Sequence, residues 1–312
     1  MTTKKAVFIF PGQGSQSVGM GKQLLAEFPY LAKYFQKASE ILGYDLEKLC
    51  FTGPEEKLND TLYTQPAIFA ISFIYNKILK ENGVKPEAVA GHSLGEYSAL
   101  CSAGVFNFVE GLKLVKKRAE LMSQAVPAGK GSMAAIIGME IAGIKDICKE
   151  TAGIVEIANI NCPGQIIISG EKEAVKSAMK MASQQGAKKV VELKVSGPFH
   201  SSLMEDIKSN FAQEINKITF QDPQIPFVAN VTGDFLQGAD DIKNELLQQL
   251  TARVDWQGSM QNLINRGHLQ YVEVGPGRVL KGLMRRIDRS AKVYNIKQKK
   301  DITRNILKGD VV

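Results

Sequence analysis

Short, unbroken apolar runs alternate along this chain with longer stretches in which apolar positions recur every three to four residues, a rhythm of buried strands separated by helices. Ala6 to Phe10 is continuously apolar and stops at Pro11-Gly12, which predicts a buried strand closed by a turn. A helical pattern follows from about Met20 to Leu42. Two further helical stretches, with Ala67 to Tyr75 almost wholly apolar, lead to a short strand that runs into Gly91. The same buried-strand character returns at Ile225 to Val231, Tyr271 to Val274 and Val293 to Ile296. Strands separated by helices imply an α/β fold with a mainly parallel sheet covered on both faces.

From Gly131 to Val195 the rhythm changes. Met133 to Ile137 reads as strand, Ile141 to Thr151 as helix, and Val155 to Ile160 and Gln165 to Ser169 as two strands across an Asn-Cys-Pro-Gly turn. Glu171 to Gln185 then reads as helix and Lys189 to Val195 as strand. The order β-α-β-β-α-β is that of a ferredoxin-like α+β unit. The expected organisation is therefore a large α/β domain over 1–128 and 197–312, with a small domain inserted at 129–196. The Lys-rich end from Lys297 onward is expected to cap the surface as a helix.

The 312 residues suffice for a sizeable core, and 44% hydrophobic with 23% charged residues is a soluble globular balance. The net charge is +7, but the lysines are scattered among acidic residues rather than gathered into a stripe. That distribution argues against nucleic acid and suits an acidic protein partner or an anionic substrate. Cys50, Cys101, Cys148 and Cys162 stand apart, with no C-x-x-C and no histidine cluster, so neither a metal site nor a disulfide framework is indicated. Met1 to Lys5 leads straight into the first strand without a signal-peptide pattern, and no apolar run approaches the length of a membrane span. These features predict a cytoplasmic protein in a reducing compartment.

The most informative segment is Gly91-His92-Ser93-Leu94-Gly95-Glu96, between an apolar strand and a helix of small residues. Strand, tight turn and helix in this order form a nucleophile elbow with Ser93 at its apex. Glycine is required at 91 and 95 because neighbouring segments pack against the turn closely enough that a Cβ would crowd them. The helix N-terminus, with its free N–H groups, then faces any oxyanion formed beside Ser93. A plain Gly/Ser turn fits the five-residue pattern alone; the strand and helix around it distinguish the elbow.

Only three histidines are present. His92 adjoins the serine, where the turn sends its side chain elsewhere, and His268 lies in a polar turn. His200, in Gly197-Pro198-Phe199-His200-Ser201, stands where the chain returns from the insert and is the best placed base for Ser93. A histidine capping the start of a helix satisfies the same local pattern. In the helix predicted from Phe108 to Ala125, Lys113, Lys116, Lys117 and Glu120 share one face, while Arg118 falls with Leu114, Val115, Leu121 and Met122. An arginine on an apolar face either snorkels at the edge of the stripe or meets an anion, and its planar fork suits a carboxylate. Gly12-Gln13-Gly14-Ser15-Gln16 lacks the third glycine of a dinucleotide loop and the Gly-Lys-Ser/Thr of a P-loop. It fits better as the source of a backbone N–H for an oxyanion hole, the second coming from Leu94.

These segments, with Thr64-Gln65-Pro66-Ala67, Asn159-Ile160-Asn161 and Glu273-Val274-Gly275-Pro276-Gly277, resemble the malonyl-CoA:acyl-carrier-protein transacylases of fatty-acid synthesis and their polyketide-synthase relatives over nearly the whole chain. The resemblance implies a hydrolase-like core in which Ser93 is the acylated nucleophile, His200 its base, Arg118 the clamp on the malonyl carboxylate, and the backbone of Gln13 and Leu94 the oxyanion hole. It places Gln65, Met122, Asn161 and Phe199 around the acyl pocket. It also implies that Asp255, where many bacterial members carry glutamine before the tryptophan, orients His200 through its main-chain carbonyl. No bound cofactor or metal is implied: the substrate is a coenzyme A thioester, malonyl-CoA, and the partner an acidic acyl carrier protein, met by a monomeric enzyme with no role for nucleic acid or membrane. Lys188 and Lys189 are candidates for carrier contacts, against the alternative of a solvated face. The competing readings are a stand-alone acyltransferase of a polyketide synthase, a serine hydrolase, and a non-catalytic carrier-binding module.

Overall fold

The computed structural model describes residues 4–195 and 197–302. Its larger sheet has six strands, β1 (Lys4–Phe10), β2 (Val84–Gly91), β7 (Phe227–Val228), β8 (Phe235–Leu236), β9 (Gln270–Glu273) and β10 (Lys292–Asn295), in the order β10-β9-β1-β2-β7-β8. All neighbours pair in parallel except the β7–β8 edge, which is antiparallel. Alternation of side chains across the strand decides which core each joins. Ala6, Phe8 and Phe10 of β1 enter the core on one face, and Val7 and Ile9 enter that on the other, where Trp256, Met260 and Leu280 lie. Both faces are therefore covered, which accounts for the unbroken apolar run.

The second sheet contains β3 (Gly131–Ile137), β4 (Val155–Cys162), β5 (Gln165–Glu171) and β6 (Lys189–Glu192) in the order β4-β5-β3-β6, all antiparallel. With helices at Ile141–Glu150 and Lys172–Gln184, this is the ferredoxin-like order read from the sequence. One face packs Ala134, Ile136 and Ile168 against Ile144, Ile147, Val175 and Ala178 of those helices. The other turns Met133, Ala135 and Ile167 toward the larger unit.

Several elements differ from the periodicity. The pattern over Met20–Leu42 is broken into helices Lys22–Glu27 and Ala32–Leu42 around a 3₁₀ turn at Pro29–Leu31. Pro29 supplies no N–H and forces Phe28 out of helical geometry, to φ −132°. The strand expected over Ile225–Val231 pairs only at Phe227–Val228. Beyond it, the N–H groups of Asn230 and Val231 are taken by the carboxyls of Glu96 and Glu245 instead of by a neighbouring strand. β6 ends at Glu192 rather than continuing to Val195, whose N–H turns back to the Leu193 carbonyl. At the Lys-rich end one turn, Lys299–Asp301, is helical, and 303–312 lie outside the described residues. The four cysteines are free thiols. Among the described residues no helix is long and apolar enough to cross a membrane.

Candidate active site

The carboxyl ends of β1 and β2 lie side by side, with Phe10 opposite Gly91, and the chains leaving them converge on Ser93. The approach is so close that an ideal Cβ on Gly91 would lie 2.0 Å from the Gly95 backbone, and one on Gly95 2.0 Å from the Phe10 carbonyl. Ser93 is held at φ 50°, in the left-handed region that L-residues seldom occupy. This strained turn lifts its side chain off the sheet at the start of helix Gly95–Ser102. Its N–H donates to Asn230 Oδ1 at 2.7 Å, and Asn230 Nδ2 donates back to the Gly91 carbonyl at 2.6 Å, so a single side chain clips both sides of the turn.

Ser93 Oγ lies 2.7 Å from His200 Nε2. The other ring nitrogen, Nδ1, lies 2.8 Å from the Gln249 carbonyl oxygen. A carbonyl only accepts, so in the neutral ring Nδ1 carries the proton and Nε2 is left to accept from the serine hydroxyl. His200 is 4% exposed, and its backbone too is left-handed, at φ 58°. Burial, and then the nearby Arg118 cation, push its pKa down to about 3, against a raising effect of the Gln249 carbonyl. The imidazole is thus neutral at physiological pH, the form a base requires.

Arg118 projects from the buried face of helix Phe108–Gln124, whose start is fixed by a capping box between Asn107 and Glu110. At 1% exposure it is no snorkelling side chain. Nη1 donates to Gln65 Oε1 at 2.6 Å, and Nη2 donates to Gln249 Oε1 at 2.9 Å and to Ser93 Oγ at 3.2 Å. The guanidinium also lies over the Tyr97 ring, 5.2 Å from its centroid, and Nε has no hydrogen-bond partner among the described residues. None of these bonds is to a carboxylate. The cation is oriented by neutral amides and left with charge to offer beside the serine.

These groups open onto a cavity of about 370 Å³ between the two sheets. Gln13, Gln65, Leu94, Met122, Asn161 and Phe199 all line it. Gln65 and Met122 are joined by an Nε2–Sδ contact of 3.6 Å, and Asn161 Oδ1 holds the His92 ring at 2.8 Å, which keeps His92 away from Ser93. Leu94 is the N-cap of the elbow helix, and the N–H groups after it, of Gly95, Glu96 and Tyr97, turn back to the carbonyls of His92, Ser93 and Leu94. Leu94, Gln13 and Ser93 line the same cavity. Lys188 and Lys189 are exposed at the start of β6, while Lys194, beyond its end, lines the cavity.

Asp255 requires correction. Its side chain accepts from Gly258 N at 2.9 Å as the N-cap of helix Trp256–Asn265, and its carbonyl accepts from Ser259 N at 3.0 Å. Both acceptors are consumed in starting that helix, and the carbonyl that orients His200 belongs to Gln249. Gln249 escaped the sequence reading, as did Asn230 and Glu96. A signal was present: in helix Ala239–Gln249 the buried positions are Ile242, Glu245, Leu246 and Gln249, so two polar residues occupy an apolar stripe, the same anomaly that exposed Arg118. Among the described residues no group of three or more His, Cys, Asp or Glu is gathered to hold a metal.

A serine on an elbow, a neutral histidine in contact with it and N–H groups at a helix start make an acyl-transfer site. The acyl transferase domain family matches residues 7–304, and the chain belongs to that family. The malonyl CoA-acyl carrier protein transacylase of Bacillus subtilis (strain 168) is 41% identical over 295 residues, covering 94% of this chain and 93% of that protein. The solved malonyl CoA-acyl carrier protein transacylase from Coxiella burnetii superimposes with a TM-score of 0.95 at 38% identity, covering 98% of each chain. A malonyl-transacylase solved in complex with its type II PKS acyl-carrier protein is similarly alike, with a TM-score of 0.95 at 41% identity over 97% of this chain and 99% of that one.

Proposed function

We propose that this protein transfers the malonyl group of malonyl-CoA to the phosphopantetheine thiol of an acyl carrier protein, through a malonyl ester on Ser93, in support of fatty-acid synthesis. The observation that carries this reading is the pair of contacts at one oxygen: Ser93 Oγ is within hydrogen-bond distance of both a neutral base, His200 Nε2, and a buried cation, Arg118 Nη2. The names of the relatives agree with it.

In the first half-reaction His200 Nε2 takes the hydroxyl proton as Ser93 Oγ attacks the thioester carbonyl, and the N–H groups of Leu94 and Gln13 hold the oxyanion. Collapse expels the coenzyme A thiolate, which takes the proton from His200. The malonyl carboxylate, two bonds beyond the ester carbonyl carbon, pairs with Arg118. In the second half-reaction the carrier's thiol gives its proton to His200, attacks the ester and regenerates the serine. Gln65, Met122, Asn161 and Phe199 bound the acyl group, and the reaction draws on no metal or redox cofactor. The reading is of a cytoplasmic monomer whose basic surface meets an acidic carrier.

A second reading is favoured by one observation, the likeness to a malonyl-transacylase solved with a type II PKS acyl-carrier protein. In it the same chemistry serves a polyketide carrier. Incubation with malonyl-CoA followed by intact-mass measurement tests the shared chemistry: an adduct of one malonyl group should appear, be absent from Ser93→Ala, and be discharged by holo acyl carrier protein. An adduct on Ser93→Ala would refute the assignment. Side-by-side discharge by fatty-acid and polyketide carriers decides between the two acceptors.

A further inference from the structure

Beneath the elbow lies a carboxyl group that the transfer steps do not use. Glu96, in the first turn of the elbow helix, is 0% exposed. Its Oε1 accepts from the backbone N–H of Asn230 at 2.8 Å, and its Oε2 accepts from Gln249 Nε2 in a short hydrogen bond. Gln249 Nε2 also donates to the Ser93 carbonyl at 3.0 Å, while Gln249 Oε1 accepts from Arg118 Nη2 at 2.9 Å. Around this one amide the neighbours are sorted by hydrogen-bond sense. Two acceptor oxygens face its NH₂ and one obligate donor faces its oxygen, so a rotation of 180° about the terminal bond would oppose like groups on both sides.

We propose that Glu96 is a positioning residue that locks the Gln249 side-chain amide with its oxygen toward Arg118, and so fixes the guanidinium for recognition of the substrate's carboxylate. Its effect on acyl choice runs through the arginine, while on rotation of the amide the Ser93 carbonyl, which Gln249 Nε2 also holds, loses its donor for every acyl group alike. Gln249 orients His200 through its backbone carbonyl, which the side-chain rotation does not move. Glu96 therefore governs the choice of acyl group through Arg118 and leaves the carbonyl that orients His200 in place. Asn230, whose N–H holds the other Glu96 oxygen and whose side chain clips Ser93, keeps the carboxyl in register with the elbow.

Glu96→Gln is the informative variant because it keeps the volume and removes one acceptor. The backbone N–H of Asn230 is fixed and retains the new amide's oxygen; the new NH₂ then faces Gln249 Nε2 and drives that amide to flip, presenting NH₂ to the guanidinium. This inference rests on the malonyl-transfer reading, and the test separates the two. Acylation of the full-length protein by malonyl-CoA and acetyl-CoA is measured with the rate of Ser93 modification by a neutral serine reagent, phenylmethylsulfonyl fluoride. In Glu96→Gln the malonyl-to-acetyl ratio of kcat/KM should fall about 10- to 100-fold, as expected for one buried charge-assisted bond reversed, while any loss toward acetyl-CoA and the neutral reagent is smaller and the same for both.

Gln249→Met, which keeps the backbone carbonyl and deletes the amide, should show the same loss, and the double variant should be no worse than Gln249→Met alone. An unchanged ratio in Glu96→Gln, an equal fall for malonyl, acetyl and neutral reagent, or losses that multiply in the double variant would overturn the inference. If Glu96→Gln fails to fold, an unchanged ratio in Gln249→Met overturns it, and a ratio reduced beyond any loss shared by acetyl-CoA and the neutral reagent supports it. A wild-type protein with no preference for malonyl-CoA would instead refute the functional reading, and this inference with it.

Discussion

Replacing Arg118 by alanine tests the charge logic of the site most directly. At the 1% exposure of this side chain the relevant medium is protein rather than water. A carboxylate about 4 Å from the guanidinium, at an effective dielectric constant of about 20, is stabilised by about 4 kcal/mol. Water entering the vacated space screens and solvates the carboxylate in the variant, so about 2 to 4 kcal/mol is the expected net loss, or roughly 30- to 1,000-fold in kcat/KM for malonyl-CoA. Two other consequences act on every acyl group alike. Gln65 Oε1 and Gln249 Oε1 lose their donor, at about 1–3 kcal/mol of folding stability each, and His200 loses the cation that helps depress its pKa, which makes it a stronger base.

Absolute rates therefore mix effects of opposite sign, and the malonyl-to-acetyl ratio isolates the carboxylate. Stopped-flow acylation with the two thioesters, alongside thermal unfolding to verify the fold, gives that ratio. It should collapse by the factor above, and Arg118→Lys should recover part of it, because a point charge is restored without the fork that meets Gln65 and Gln249. Equal losses for malonyl and acetyl would show that the arginine is only a structural element of the core.

With His200 as the proposed base, its neutral form persists above a pKa of about 3, so kcat/KM for acylation should stay flat as pH falls from 8 to about 5. An acid limb near 6.5 would refute the buried, depressed histidine. Phe199, which is 5% exposed on the cavity wall, should exclude an α-methyl group; Phe199→Ser should raise methylmalonyl relative to malonyl transfer by about 1 to 3 kcal/mol, and an unchanged ratio would remove Phe199 from the acyl pocket. Transfer to holo acyl carrier protein should slow with salt more steeply than transfer to free pantetheine, because exposed charges are screened over roughly 10 Å at ~0.1 M; parallel salt curves would refute electrostatic docking.

The parts of this site that were legible in the sequence are those whose physics is local. Gly91 and Gly95 announce a close backbone approach, and Ser93 between them announces a strained turn, because turn geometry is written in adjacent residues. Arg118 announces itself by violating the periodicity of its own helix. The histidine's orienting group was illegible for the opposite reason. It is a main-chain carbonyl, which every residue has, so no side-chain identity distinguishes Gln249 from Asp255 as its source. Only the packing of helix Ala239–Gln249 against the elbow selects it. Strand lengths failed similarly at Asn230 and Val231, where an apolar pattern continues but the backbone donors are claimed by Glu96 and Glu245 from elsewhere in the chain.

The same network explains how a cation is kept beside the nucleophile without being neutralised by the protein itself. Glu96 is 0% and Glu245 3% exposed, and burial holds Glu96 well above the usual carboxylate range, with Glu245 adding to the shift. The oxygens of these carboxyls accept from Asn230, Val231 and Gln249, so neither carboxyl bonds the guanidinium directly. The guanidinium is instead steadied by the oxygens of Gln65 and Gln249, which give direction but no net charge. A buried cation with no anion bonded to it is costly. On the malonyl-transfer reading, an entering carboxylate relieves that cost and also offsets the field that lowers the His200 pKa, so the proposed clamp and the proposed base improve together when the acyl chain carries its own negative charge.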